Sequence, residues 1–173
     1  MYKIEDFVMY GSEGVCRVTD ICSPEISGIE KGRLYYILEP VYKNGKIYAP
    51  VDTSKSMRSV MTQEQAQVMI DAIPSVTSEK VIENNFEQEA HYKQLLRTHD
   101  CSNLMKLIKT LLTKKSEALS HSKKFCMTDE SYLEKAEEML FSEFATALNK
   151  PMDSIKRFVE EQISCPESTG NAI

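Results

Sequence analysis

The chain has 173 residues, room for about one average domain or two small ones, which excludes a large multidomain enzyme. Apolar residues make up 42% and charged residues 27% of it, with a net charge of −5, a balance that supports a packed core and excludes a compositionally disordered chain. No run approaches the roughly 18 apolar residues of a membrane span, and the opening Met-Tyr-Lys-Ile-Glu-Asp lacks the parts of a signal peptide, so the expectation is a soluble, cytoplasmic protein.

The first sixty residues carry strand signals. Runs at 6–10 and 15–21 flank Gly11-Ser12-Glu13-Gly14, a turn whose two glycines tolerate positive φ. The run 34–42 (LYYILEPVY) is rich in aromatic and β-branched residues, and 47–51 follows it across Lys43-Asn44-Gly45-Lys46. Asn-Gly between two such runs predicts a tight hairpin with positive φ at both turn positions. A last short strand is expected at 58–61. About five strands in sixty residues predict a small, strongly bent antiparallel barrel of SH3 or Tudor type. Its tyrosines, Tyr35, Tyr36, Tyr42 and Tyr48, read as cross-strand packing partners.

From Thr62 the period becomes helical. Thr62-Gln63-Glu64-Gln65 has the spacing of a capping box ahead of apolar Ala66, Met69, Ile70 and Ile73, and Pro74 ends the segment. A second helix is expected over 78–98 with Ile82, Phe86, Leu95 and Leu96 inward. The third carries Leu104, Leu107, Ile108, Leu111 and Leu112 on one stripe, with Lys106, Lys109 and Lys114 pointing elsewhere. A fourth is expected over 128–148. A fifth, opened by Pro151, carries Ile155, Phe158, Val159 and Ile163. The fold class is therefore α+β in two domains: an N-terminal barrel over 1–61, an all-α domain of about five helices over 62–165, and a frayed tail over 166–173.

Charge is unevenly spread. Residues 93–124 hold eight cations (Lys93, Arg97, Lys106, Lys109, Lys114, Lys115, Lys123 and Lys124) against Asp100 and Glu117, whereas residues 125–173 hold four against ten acidic side chains. Such a block either binds phosphates, through counterion release, or pairs with the acidic helix that follows it. Chemistry-bearing motifs are missing: there is no glycine-rich phosphate loop, HExxH or GxSxG. Five cysteines without a CxxC pair indicate neither a zinc site nor a disulfide framework and read as small buried hydrophobes. No metal, cofactor or small-molecule substrate is expected, and the protein reads as a non-enzyme. A Cys101–His91 pair is too weak a catalytic signal to alter that.

The run YKIEDFVMYGSEGVCRV from Tyr2, followed by YYILEPVY and KIYAPVD, resembles the RNA polymerase interaction domain shared by the bacterial CarD family and the transcription-repair coupling factor. Tyr92-Lys93 with LLRTHD, the leucine stripe and KAEEMLFSEFATAL resemble the CarD helical domain. The resemblance spans about residues 2–163. It implies a transcription regulator whose barrel docks on the β subunit of bacterial RNA polymerase by sheet-edge pairing, around Ile26 and the strand containing Ile47 and Tyr48. It also implies that the helical domain stabilises promoter open complexes through sequence-independent contacts with DNA at the upstream bubble edge, by Lys93, Arg97, Lys114, Lys115, Lys123 and Lys124. Many relatives place a tryptophan wedge just before the Tyr-Lys dipeptide. This chain has no tryptophan; Gln88 and Phe86 stand nearest that position, and the inward stripe assigns Phe86 to the core. Glu130 stands where a basic residue is common. The alternative function is a protein-interaction adaptor that uses the barrel and never touches DNA.

Overall fold

The computed structural model describes residues 1–26, 28, 30, 32–52, 57–78, 82 and 84–164. The expected first turn of the second helix (79–81 and 83), Cys165 and the tail lie outside the described residues. The chain forms two compact units, divided after Met61.

In the first unit, strands β1 (Phe7–Tyr10), β2 (Val15–Cys22), β3 (Tyr35–Pro40), β4 (Ile47–Pro50) and β5 (Met57–Ser59) form one antiparallel sheet in the order β4-β3-β2-β1-β5. The Gly11–Glu13 turn joins β1 to β2, and Gly11 and Gly14 both take positive φ, at 47° and 78°, where a Cβ would be strained. The β3–β4 hairpin differs from expectation. Leu38 pairs with Ile47, so the connection is longer than a two-residue turn, and among its residues Gly45 alone has positive φ.

One face of the sheet buries Val8, Cys16, Val18, Tyr36, Leu38 and Ala49, with Ile21, Ile47 and Met57 packed against them. Strict alternation would send Val18 and Ile21 to opposite faces. The register shift between Val18 and Asp20 inserts one extra residue, a bulge that returns Ile21 to the core face and bends the strand. Thr19 ties that irregularity down by donating from Oγ1 to the Ile37 carbonyl at 3.1 Å. Burial pushes the Cys16 thiol up to about 11, in keeping with an inert core residue.

The second unit holds α1 (Gln63–Asp71), α2 (Asn85–Thr98), α3 (Cys101–Ser120), α4 (Met127–Leu148) and α5 (Met152–Ser164). The capping box forms as predicted: the Gln65 N–H donates to Thr62 Oγ1 at 3.2 Å, and the Thr62 N–H donates to Gln65 Oε1 at 2.9 Å. Helix α4 is the centre of the unit. It packs against α1, α3 and α5, and from Met139 to Ala145 every residue is buried, as expected of a helix covered on all sides. Phe158 of α5, expected inward, is half exposed, while Ile155 and Val159 are buried.

Helix α2 corrects the sequence reading most. It begins at Asn85, with the Asn84 side chain accepting from the Phe86 N–H at 3.0 Å, and its buried residues are Gln88, Tyr92 and Leu95. At 100° per residue, Phe86 lies nearly opposite that stripe, and it is 80% exposed. The core role expected for Phe86 is not what the structure has.

Candidate polymerase-docking edge and nucleic-acid face

Strand β4 is a terminal strand of the sheet, so one side of its backbone has no partner strand among the described residues. Tyr48 pairs with Ile37 and Ile47 with Leu38. The Ile47 side chain leans on the core, and both Ile47 and Tyr48 are partly exposed. Ile26, beyond the end of β2, is 42% exposed, and Leu34, immediately before β3, is 48% exposed. An open edge with apolar side chains beside it is the geometry of strand addition, in which main-chain hydrogen bonds supply affinity and flanking side chains supply selectivity. Residues 2–61, essentially this whole unit, match the family model of the CarD-like/TRCF RID domain.

The chain carries a CarD-like RNA polymerase-interaction domain. Comparison of the chain with curated proteins gives no match. In the RID domain, Arg17 lies between Glu5 and Glu39, at 3.5 and 3.6 Å, and Lys46 reaches Glu39 at 3.6 Å. These surface pairs contribute little stability individually. Arg33 is likewise held, by Asp52 at 2.6 Å and Glu30 at 3.1 Å.

The helical unit divides the expected DNA-binding cations into two sets. Lys114 continues the leucine stripe, three residues after Leu111 and seven after Leu107, and its ammonium is drawn inward to Asp129 Oδ2 at 2.6 Å and over the Tyr92 ring at 6.0 Å. Burial opposes that charge. The hydrogen bond to Asp129 and the nearby Tyr92 outweigh it and hold the pKa above the ordinary lysine value. Lys115 faces Glu130 at 3.6 Å. Lys93 pairs with Glu89 at 2.8 Å, which raises the lysine pKa and, together with the Tyr132 hydroxyl donating to Glu89 at 3.1 Å, lowers that of the carboxylate. Lys93 nonetheless stays largely in solvent, with its side chain 57% exposed. Arg97, Lys123 and Lys124 are exposed, and no carboxylate among the described residues pairs with them.

On α2, Phe86, Ala90, Lys93 and Arg97 are all exposed. Their spacing of four, three and four residues places them on one stripe. The structure thus brings one aromatic and two cations onto a single helix face. The sequence places Phe86 near the wedge position but turns its ring inward; the structure has it 80% exposed on the same face as the cations.

Gln88, the other candidate at the wedge position, is only 7% exposed. Its Nε2 donates to the Tyr92 hydroxyl at 2.7 Å, so it belongs to the interior. The cysteines are more varied than expected: Cys16 is buried, Cys22 and Cys101 partly so, and Cys126 is exposed. Cys101 Sγ lies 3.3 Å from Glu143 Oε2. Backbone N–H groups of Asp129 and Thr128, at the start of α4, lower the Cys126 pKa. Among the described residues no group of three metal-ligating side chains occurs, and no helix is long and apolar enough to cross a membrane.

Proposed function

We infer that this protein is a non-enzymatic, cytoplasmic regulator of bacterial transcription. Its RID domain, a Tudor-like module in this reading, docks on the RNA polymerase β subunit through the β4 edge and Ile26. Its helical unit holds the upstream edge of the melted promoter. The observation that carries the second half is the α2 stripe of Phe86, Lys93 and Arg97. The two cations suit adjacent phosphates, whose neutralisation releases counterions without reading sequence. The ring, standing in water at the first turn of the helix, suits insertion between base pairs as a minor-groove wedge. Lys123 and Lys124 extend the positive field, whereas Lys114 and Lys115 serve mainly to hold α3 to α4. A factor acts on the closed–open equilibrium only by binding the open state more tightly, and a wedge meets that condition because it needs unstacked bases.

The adaptor reading has one observation in its favour, the pairing of Lys93, Lys114 and Lys115 with carboxylates. The lifetime of polymerase–promoter open complexes separates the two. With Lys93→Glu/Arg97→Glu, the stabilisation conferred by the protein falls by about tenfold, within the usual range of coupling energies, and the slope of log affinity against log salt drops by roughly 0.9 per lost phosphate contact. Phe86→Ala lowers the lifetime without changing the salt slope. An adaptor leaves lifetime and slope unchanged in all three substitutions.

A further inference from the structure

Helix α3 runs antiparallel to α4, with Cys101 facing Glu143 and Lys114 facing Asp129. Helix α5 returns along α4 after the short link over 149–151, with Lys156 on Glu137. The C-terminal ends of α3 and α5 therefore lie side by side, and between them is a groove of about 410 Å3 whose lining mixes apolar Leu112, Leu119 and Ile163 with Lys115, Glu117 and Glu160. Leu119 is 63% exposed, whereas Leu104, Leu107 and Leu111 of the same helix are buried. Apolar side chains that converge on one concavity from two helices are more than a scattered surface leucine and mark a place where another chain can pack.

The charges around the groove are unbalanced toward the acidic side. Lys115 is already engaged, facing Glu130 at 3.6 Å and lying over the Phe125 ring at 5.7 Å. Lys156, one turn before Glu160, is held by the buried Glu137 at 2.6 Å. Glu117 and Glu160 are left without an ion pair of their own among the described residues. The helix ends add to this. Neither α3 nor α5 has a basic residue in its last turn, where a lysine or arginine ordinarily meets the partial negative charge of the last carbonyls. Lys123 and Lys124 follow α3 but do not line the groove. Two C-terminal ends and two carboxylates thus make a negative rim around an apolar lining.

We propose that this groove docks a basic amphipathic helix of a partner protein, its apolar stripe laid on Leu112, Leu119 and Ile163 and its lysines or arginines meeting Glu117, Glu160 and the two helix ends. Helix-in-groove recognition draws its affinity from apolar anchors at i, i+3, i+4 and i+7, and complementary charge at the rim selects the partner and fixes its register. The same negative rim repels nucleic acid and anionic lipid, and so singles out a cationic protein segment. Among the described residues, none of α2 or of the RID domain lines the groove, so the proposal stands apart from the DNA-holding and polymerase-docking readings.

The experiment uses the full-length protein, isotopically labelled for NMR, with two synthetic helical peptides of about 18 residues, long enough to form a helix in water. Both carry one leucine stripe; in the first it is flanked by lysines, in the second by glutamates. The expected result is that the lysine peptide binds more tightly than the glutamate peptide and moves the amide signals of Leu112, Leu119 and Ile163. Leu119→Ser, a change at an exposed position that does not endanger folding, is expected to weaken that binding by roughly tenfold or more, the loss of one buried apolar side chain. Glu117→Lys/Glu160→Lys, checked for folding by circular dichroism, is expected to reverse the preference between the peptides. Equal binding of the two peptides, signals that move elsewhere in the protein, affinity unchanged by Leu119→Ser, or no binding at low salt each overturns the proposal. Sedimentation of the protein alone covers the remaining occupant: a dimer that Leu119→Ser dissociates assigns the groove to a second copy of this chain and overturns the basic partner.

Discussion

Phe144→Ala is expected to destabilise the helical unit by about 3–5 kcal/mol. Phe144 is fully buried, 0% exposed, in the stretch of α4 where every side chain is covered by neighbouring helices. Removing the ring forfeits its transfer free energy and leaves a void, and the void persists because α1, α3 and α5 are each anchored elsewhere and cannot all close on it. Lys109, for example, ties α3 to the Pro74 carbonyl at 3.1 Å. Whole domains are stable by only about 5–15 kcal/mol, so the change is a large part of the total. Denaturant unfolding followed by the helical circular dichroism signal is expected to show a lowered midpoint with an unchanged slope. A loss below about 1 kcal/mol would mean that α4 is not the packed centre of the unit.

Lys156→Ala has the next largest effect, about 2 kcal/mol at neutral pH. Its ammonium is 2.6 Å from Glu137 Oε2, and the Glu137 side chain is only 6% exposed, with Oε1 buried and without a hydrogen bond among the described residues. Removing one partner of a fully buried pair costs about 3–5 kcal/mol through the unpaired charge left behind. The lysine side chain is 43% exposed, so solvent already screens part of the interaction and the expectation is lower. The pH dependence follows from Glu137. Burial raises its carboxyl pKa above the ordinary 4.5, with Lys156 only partly opposing it. A raised acid contributes its stability below the unfolded-state pKa and loses it as pH rises through the folded-state value. Without Lys156 the folded-state pKa rises further. The variant is therefore expected to be most impaired near neutral pH and to approach the parent protein in acid, where Glu137 is protonated in both. Thermal unfolding across that range checks it; a deficit that does not shrink on acidification would contradict the assignment.

Much of the architecture is legible in the residues. The glycines at 11 and 14 announce the first turn, the Thr62 box fixes where helices begin, and the leucines from 104 to 111 set the buried face of α3 because their spacing admits one solution. Other features needed tertiary information. Asn44-Gly45 suggested a two-residue turn, yet the register of β3 against β4, set by which side chains reach the core, lengthened the loop. Phe86 was assigned inward because hydrophobicity and spacing from Ile82 suggested a stripe. The helix starts only at Asn85, and its buried face is fixed by Gln88 and Tyr92, whose mutual hydrogen bond makes a polar residue a tolerable interior one. Lys114 was read as a surface cation although it sits in phase with Leu107 and Leu111. That phase was the available signal, and Asp129 on α4 is the reason a lysine can follow it. The RID domain was recognisable from its motifs because strand and turn residues there are local, whereas the α2 face depends on where the helix begins.

The central claim is that the open edge at β4 is a polymerase-docking surface. The most direct test is capture of purified bacterial RNA polymerase by the full-length protein, compared with a variant carrying Ile26→Asp and Tyr48→Glu. The account predicts that the parent protein captures the enzyme and that the variant, still folded by circular dichroism, loses capture by at least tenfold, the two charges being desolvated against the added strand. Failure of the folded parent protein to bind polymerase, or capture undiminished by the two substitutions, would contradict it.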